Sequence, residues 1–144
     1  MKSYSGKIFI GTMSGTSHDG IDICSVSITN KKIKLLNFGS YKYPKSLKKE
    51  IANVIQHQKL SLNKYIELDK KIGIAFGKSI NRFLVKNKIN KNQILAIGLS
   101  GQTLFHAPKH KYPFSIQAGD PKIVSMECCL DVVSDFRNDH INLG

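Results

Sequence analysis

The segment IFIGTMSGTSHDGID, Ile8 to Asp22, runs from a short apolar stretch into three glycines, Gly11, Gly15 and Gly20, with four small hydroxyl residues between them and Asp19 beside the last. Glycines let successive backbone N–H groups converge on one point, and Ser and Thr hydroxyls add donors, so a strand–loop–strand turn of this composition can make an anion nest. Asp19, pointing into the same space, would be a natural partner for Mg²⁺ or a metal-bound water. A Walker-type phosphate loop needs G-x-x-x-x-G-K-[ST] feeding a helix; this stretch has no lysine at that place and feeds a second strand. The plainer alternative is a β-hairpin with glycine-rich turn chemistry.

Elsewhere the reactive residue types are sparse. His106 and His110 are four apart, but Pro108 lies between them, which argues against one helical face and against a metal pair. His106 by itself also reads as a capped or surface histidine after a strand. Cys24, Cys128 and Cys129 are odd in number, lack C-x-x-C spacing and include an adjacent pair, so neither a disulfide framework nor a zinc site is indicated. Reduced, buried thiols are the reading.

These residues need elements to position them. Lys7 to Thr12 reads as a strand, alternation from Ile21 to Ile28 as a second, and Ile33 to Phe38 as a third. Short connections make the three an antiparallel meander, because parallel pairing needs a crossover of a dozen or more residues. After Pro44, a helix beginning near Ser46 carries Leu47, Ile51, Val54 and Ile55 on one side. A longer helix, Ser61 to Lys86, repeats Tyr65, Leu68, Ile72, Phe76, Ile80 and Phe83 at three- and four-residue steps, a core-facing stripe. Gly73 and Gly77 inside it each cost about 1 kcal/mol relative to Ala, and close approach of a neighbouring helix or sheet is the expected compensation. Ile94 to Leu99 reads as a strand stopping at Ser100-Gly101, after which GQTLFHAP leaves the sheet. Phe114 to Gln117 is a short strand, Pro121 to Leu130 a short helix, and Asp131 to Asp135 a last strand ending in acid.

With 144 residues and 41% hydrophobic content, the chain suits about one domain with a real core. The net charge of +12 comes from 20 lysines and two arginines against 10 acids. Nucleic-acid surfaces lean on Arg forks and stacked aromatics, whereas these lysines are scattered and the aromatic residues fall in apolar-patterned segments, so no nucleic-acid partner is expected. No apolar run approaches the roughly 20 residues of a membrane span, and no secretory leader is evident. The chain reads as cytoplasmic, without a membrane partner.

Four segments carry a family resemblance. GTMSGTSHDGID (Gly11 to Asp22), GQTLFHAP (Gly101 to Pro108), IQAGD (Ile116 to Asp120) and VVSDFR (Val132 to Arg137) resemble, in order and spacing, motifs of the anhydro-N-acetylmuramic acid kinases. That family belongs to the superfamily of sugar kinases, heat-shock chaperones and actin-like proteins, whose two ribonuclease-H-like lobes clasp a nucleotide. The resemblance implies an α/β chain, 1–144, forming the N-terminal actin-like ATPase lobe without the second lobe. It implies ATP and Mg²⁺, hydrolytic opening of the 1,6-anhydro bridge of anhydro-N-acetylmuramic acid, and phosphorylation of O6 in cell-wall sugar recycling.

Carried over residue by residue, Gly15, Thr16, Ser17, His18, Asp19, Gly20, Ile21 and Asp22 would form the nucleotide-phosphate loop, with Asp19 near the metal. Gln102, Thr103, His106, Asp135 and Arg137 would stand on the sugar side, where amides, hydroxyls and an Arg fork grip hydroxyl, acetamido and carboxylate groups. The sequence departs from the family's pattern at two places: His140 stands where a second acid after DFR is expected, and His18 replaces a usually apolar residue. The family's G-G-Q-G-A-P-L stretch, its D-T-G-P-G-N motif with the proposed catalytic base, and its adenosine site are not in these 144 residues. Negligible turnover by the chain alone is therefore expected. So are an exposed face that a complementing lobe or a homodimer partner would cover, and a possible role as a non-catalytic sugar- or phosphate-binding module.

Overall fold

Period-two alternation builds the sheet. On β1 (Lys7–Ser14) the buried residues are Ile8, Ile10, Thr12 and Ser14; on β2 (Ile21–Ile28) they are Ile21, Ile23, Ser25 and Ser27. Each strand thus presses one face into a core. In the computed structural model, which describes residues 7–29 and 32–137, β2 pairs antiparallel with both β1 and β3 (Ile33–Tyr41). The expected meander is present, with β1 and β3 each running past the ends read from sequence. His140 lies outside the described residues.

Helix α1 (Lys45–His57) buries Leu47, Ile51 and Val54. Helix α2 (Leu62–Lys86) starts at Ser61, whose extended backbone and hydroxyl, accepting from the Lys64 N–H, satisfy one of the helix's orphan donors. Its stripe of Leu68, Ile72, Phe76, Ile80 and Phe83 is fully buried, and side chains of this kind each contribute about 1.5–3 kcal/mol on burial. Tyr65 is only half-buried, because its ring reaches the rim of the sheet.

Strand β4 (Ile94–Ala107) is parallel to β1. Beyond it, β5 (Phe114–Ala118) pairs antiparallel with the outer half of β4, and β6 (Val132–Ser134) pairs parallel with the inner half. Between them α3 (Pro121–Cys128) begins at Asp120, whose side chain accepts from Lys122 N–H, and stops where Cys129 turns left-handed. The body of the sheet runs β3-β2-β1-β4 with β6 alongside, and β5 continues on the extension of β4. This is the α/β, ribonuclease-H-like lobe of the actin-like ATPase and sugar-kinase superfamily.

One expectation fails. GQTLFHAP does not leave the sheet: β4 passes through Ser100-Gly101 and on to Ala107. Gly101, at φ 71°, makes a bulge there, between the pairings Thr12–Leu99 and Ser14–Gln102. A Cβ at Gly101 would lie 2.9 Å from the Ala118 carbonyl oxygen, so only glycine fits. A Ser-Gly pair followed by polar residues has the look of a strand end. Here the strand persists because the side chains of Gln102 and Thr103 are hydrogen-bonded within the fold.

Candidate functional site at the carboxyl ends of the parallel strands

Strands β1, β4 and β6 run the same way, and the loops leaving their carboxyl ends share one edge of the sheet. In open α/β sheets that edge is where ligands bind. The β1 exit, Gly15 to Gly20, forms a turn closed by the His18 N–H donating to the Gly15 carbonyl at 3.0 Å. His18 takes φ 44° and sets its Nδ1 3.0 Å from the Thr16 carbonyl oxygen. Thr16, Ser17 and Asp19 are exposed, Gly15, His18 and Gly20 half-buried. Ile21 is buried and Asp22 stands on β2 opposite Met13, so those two belong to the strand that anchors the loop.

Gln102 ties this loop to β4. Its side chain is fully buried, and Nε2 donates to the carbonyls of Gly15 (2.8 Å) and Thr103 (3.0 Å) while Oε1 lies 2.7 Å from the Ser14 hydroxyl. The same hydroxyl is 2.7 Å from the Gly20 carbonyl oxygen, so Ser14 braces both ends of the turn. Tyr43 is buried nearby, and burial pushes its phenol far above the usual value, the Ser14 hydroxyl opposing. On the solvent side, Lys48 of α1 reaches Asp19 Oδ1 at 3.3 Å.

A second cluster sits where β4 bulges. Tyr65, Asp69, Ser100, Gly101, Gly119 and Asp135 line a cavity of about 160 Å³. Asp69 Oδ1 accepts from the Gly119 N–H at 2.7 Å, and the Tyr65 hydroxyl donates to the Gln117 carbonyl. Burial holds the Asp69 carboxyl above the usual range; the Gly119 N–H works against this and Asp120 adds to it. Asp135 takes φ 70° just past β6, with half-buried Arg137 two residues on.

Of the residues marked for the sugar side, Asp135 reaches this cavity, while Gln102 faces inward to the loop. Thr103 is buried and donates to Gln117 Oε1 at 2.9 Å; Gln117 Nε2 donates to the Ser115 hydroxyl, which lies 3.3 Å from His106 Nδ1. His106 is exposed, four residues up the β4 extension and so about 13 Å along the strand from Gln102.

Asp69 was not among the residues picked from sequence. Tyr65, Asp69, Gly73 and Gly77 recur every four residues, one face of α2 turned toward the β5–α3 segment, and that spacing could have found it. Among the described residues, no three or more His, Cys, Asp or Glu side chains gather where a metal ion could be held, and no helix is long and apolar enough to cross a membrane.

A family model described as anhydro-N-acetylmuramic acid kinase matches residues 7–144. The chain belongs to that family. A protein of Gamma-proteobacterium EBAC31A08 named anhydro-N-acetylmuramic acid kinase is 49% identical over 140 residues, covering 97% of this chain and 38% of its own length. A protein of the same name from Sulfurovum sp. (strain NBC37-1) is 42% identical over 136 residues, 94% of this chain and 38% of its own. One from Vibrio parahaemolyticus serotype O3:K6 is 38% identical, covering 96% of this chain and 37% of its own. The chain thus corresponds to an N-terminal portion of longer anhydro-N-acetylmuramic acid kinases, spanning a little over a third of the curated relatives it matches.

Proposed function

We propose that this chain is the N-terminal lobe of an ATP-dependent kinase that opens 1,6-anhydro-N-acetylmuramic acid with water and phosphorylates the freed O6. The observation that carries the reading is the β1 exit loop, whose glycines and hydroxyls are clamped by Gln102 and Ser14 at the sheet edge shared with Asp135. Family membership supplies the substrate class.

In this reading the Gly15–Gly20 turn holds the nucleotide phosphates through its backbone N–H groups and the Thr16 and Ser17 hydroxyls, and Lys48 adds a cation beside them. Mg²⁺ keeps several waters and takes only one or two carboxylates alongside phosphate oxygens. The lone exposed carboxylate of Asp19 fits that demand. When bound, the ion supplies charge neutralisation on the phosphoryl oxygens. Asp135 and Arg137, with the cavity at the bulge, orient the sugar, and burial keeps the raised Asp69 carboxyl aimed at the Gly119 amide as a fixed wall. The base that activates water belongs to residues outside these 144, so the lobe binds without turning over.

Calorimetric titration of the chain with anhydro-N-acetylmuramic acid and, separately, with Mg-ATP tests this. The expected result is measurable sugar binding that Asp135→Asn with Arg137→Met weakens at least about tenfold, roughly 1.4 kcal/mol, and no phosphorylated product. Absence of binding to either ligand would overturn the site. Robust turnover by sequence-verified protein would overturn the placement of the base.

A further inference from the structure

We propose that the face of the sheet turned away from α1 and α2 is a docking surface for a helix from the part of a family-length chain that follows the matched N-terminal portion. Parallel strands are ordinarily covered on both faces, yet only one face of this sheet has helices packed on it. The other exposes Met13, Leu95 and Val133, and on β3 Ile33, Leu35 and Phe38 are 73%, 59% and 64% accessible.

The register makes these residues one surface. Val133 pairs with Gly98, Gly98 with Gly11, Gly11 with Cys24 and Cys24 with Phe38, a single row crossing five strands. Its middle is two adjacent glycines, flanked by Phe38 at one end and Val133 at the other. Glycine inside a strand often marks a place where another backbone comes close, and a glycine floor between apolar walls is a trough for a helix. Phe136, in the last described turn, already lies over this floor: a Cβ built on Gly98 would be 3.7 Å from its ring.

Two observations choose the occupant. Phe136 leads the chain onto this face, and the relatives carry well over half their length beyond the matched segment. A second copy would bring +12 against +12. The face is a flank of the sheet and not its loop edge, so the helix would brace the lobe without entering the phosphate loop. The inference rests on family membership and not on the proposed chemistry; loss of ligand binding leaves it untouched.

Cys24 is a built-in probe, half-buried on the floor of this face, and Cys129 is exposed at the end of α3. Maleimide labelling, read by mass spectrometry at low ionic strength, compares the chain with a chimaera that continues from Gly144 into the following part of the gamma-proteobacterial relative. Cys24 is expected to react at least about tenfold more slowly in the chimaera while Cys129 is unchanged, and Leu35→Glu with Phe38→Glu restores Cys24 reactivity. The same comparison in the full-length relative, with a cysteine at the position aligned with Leu35, against its own matched segment guards against a misfolded chimaera. Equal Cys24 rates in chain and chimaera, together with equal rates in the relative, overturn the proposal. Protection of Cys24 in the chain alone with a doubled mass would make a second copy the occupant and overturn it as well.

Discussion

Ser14 has one hydroxyl proton and two acceptors at 2.7 Å, the Gly20 carbonyl and Gln102 Oε1. Gln102 cannot ease this by turning its amide over, because Nε2 already donates to the carbonyls of Gly15 and Thr103, and Oε1 in its place would face two acceptors. The amide is therefore locked, and through Gly15 it locks the loop. Gln102→Leu removes the donor to a part-buried carbonyl and is expected to cost about 1–3 kcal/mol in urea unfolding, with faster amide exchange across Gly15–Gly20. Gln102→Glu is expected to be worse at neutral pH than Leu, since a buried carboxylate would face both carbonyls, and to recover in acid as it protonates. Unfolding midpoints at pH 7 and pH 4 check the order. The family resemblance marks Gln102 as part of the site, but its inward orientation follows from the bulge at Gly101, which residue types alone do not reveal.

Helix α1 is stapled to α2 by charge. Glu50 reaches Lys64 and Lys71 at 2.9 and 3.1 Å, and both lysines also reach Glu67. Hydrogen bonds from Lys64 and Lys71 hold the Glu50 carboxyl below the usual range, and the glutamates raise both lysines. A lowered acid contributes stability above its unfolded value and loses it as pH falls through the folded one; the raised lysines lose theirs only as pH climbs past their ordinary range. The staple is therefore complete near neutrality. Glu50→Gln is expected to lower the melting temperature at pH 7 and to flatten the fall between pH 5 and pH 3, and 0.5 M salt should shrink the difference because the pair is partly exposed.

The α2–α3 contact is steric instead: a Cβ on Gly77 would sit 2.5 Å from Glu127 Cβ. The gain of about 1 kcal/mol from replacing a helical glycine is outweighed by displacing α3, so Gly77→Ala is expected to destabilise by about 1–3 kcal/mol in denaturant unfolding. Close approach at Gly73 and Gly77 is legible from their spacing in an apolar helix. The long β4 is not, because burial of a polar run depends on partners that sequence distance hides, Gly15 for Gln102 and Gln117 for Thr103.

At the scale of the whole molecule, fold class was legible because alternation in three short segments and a helical stripe survive any detail of packing. Which sheet face lies bare was not: Val26, Ile28, Leu35 and Phe38 are as apolar as Ile21 and Ile23, and periodicity assigns alternate faces without saying which is covered. The consequence is a chain with two opposed tendencies, an open apolar face that favours contact between copies and a net charge of +12 that opposes it. The Debye length is about 10 Å at 0.1 M salt and 3 Å at 1 M, so the repulsion fades with salt while apolar contact does not. Sedimentation is expected to give a monomer at low ionic strength and a mass that climbs, without a fixed stoichiometry, as sodium chloride rises toward about 0.5 M. Leu35→Glu with Phe38→Glu separates the two causes. Two added carboxylates lower the charge from +12 to +10, which by repulsion alone would make association easier; if the apolar face drives it, the variant stays monomeric across the same salt range.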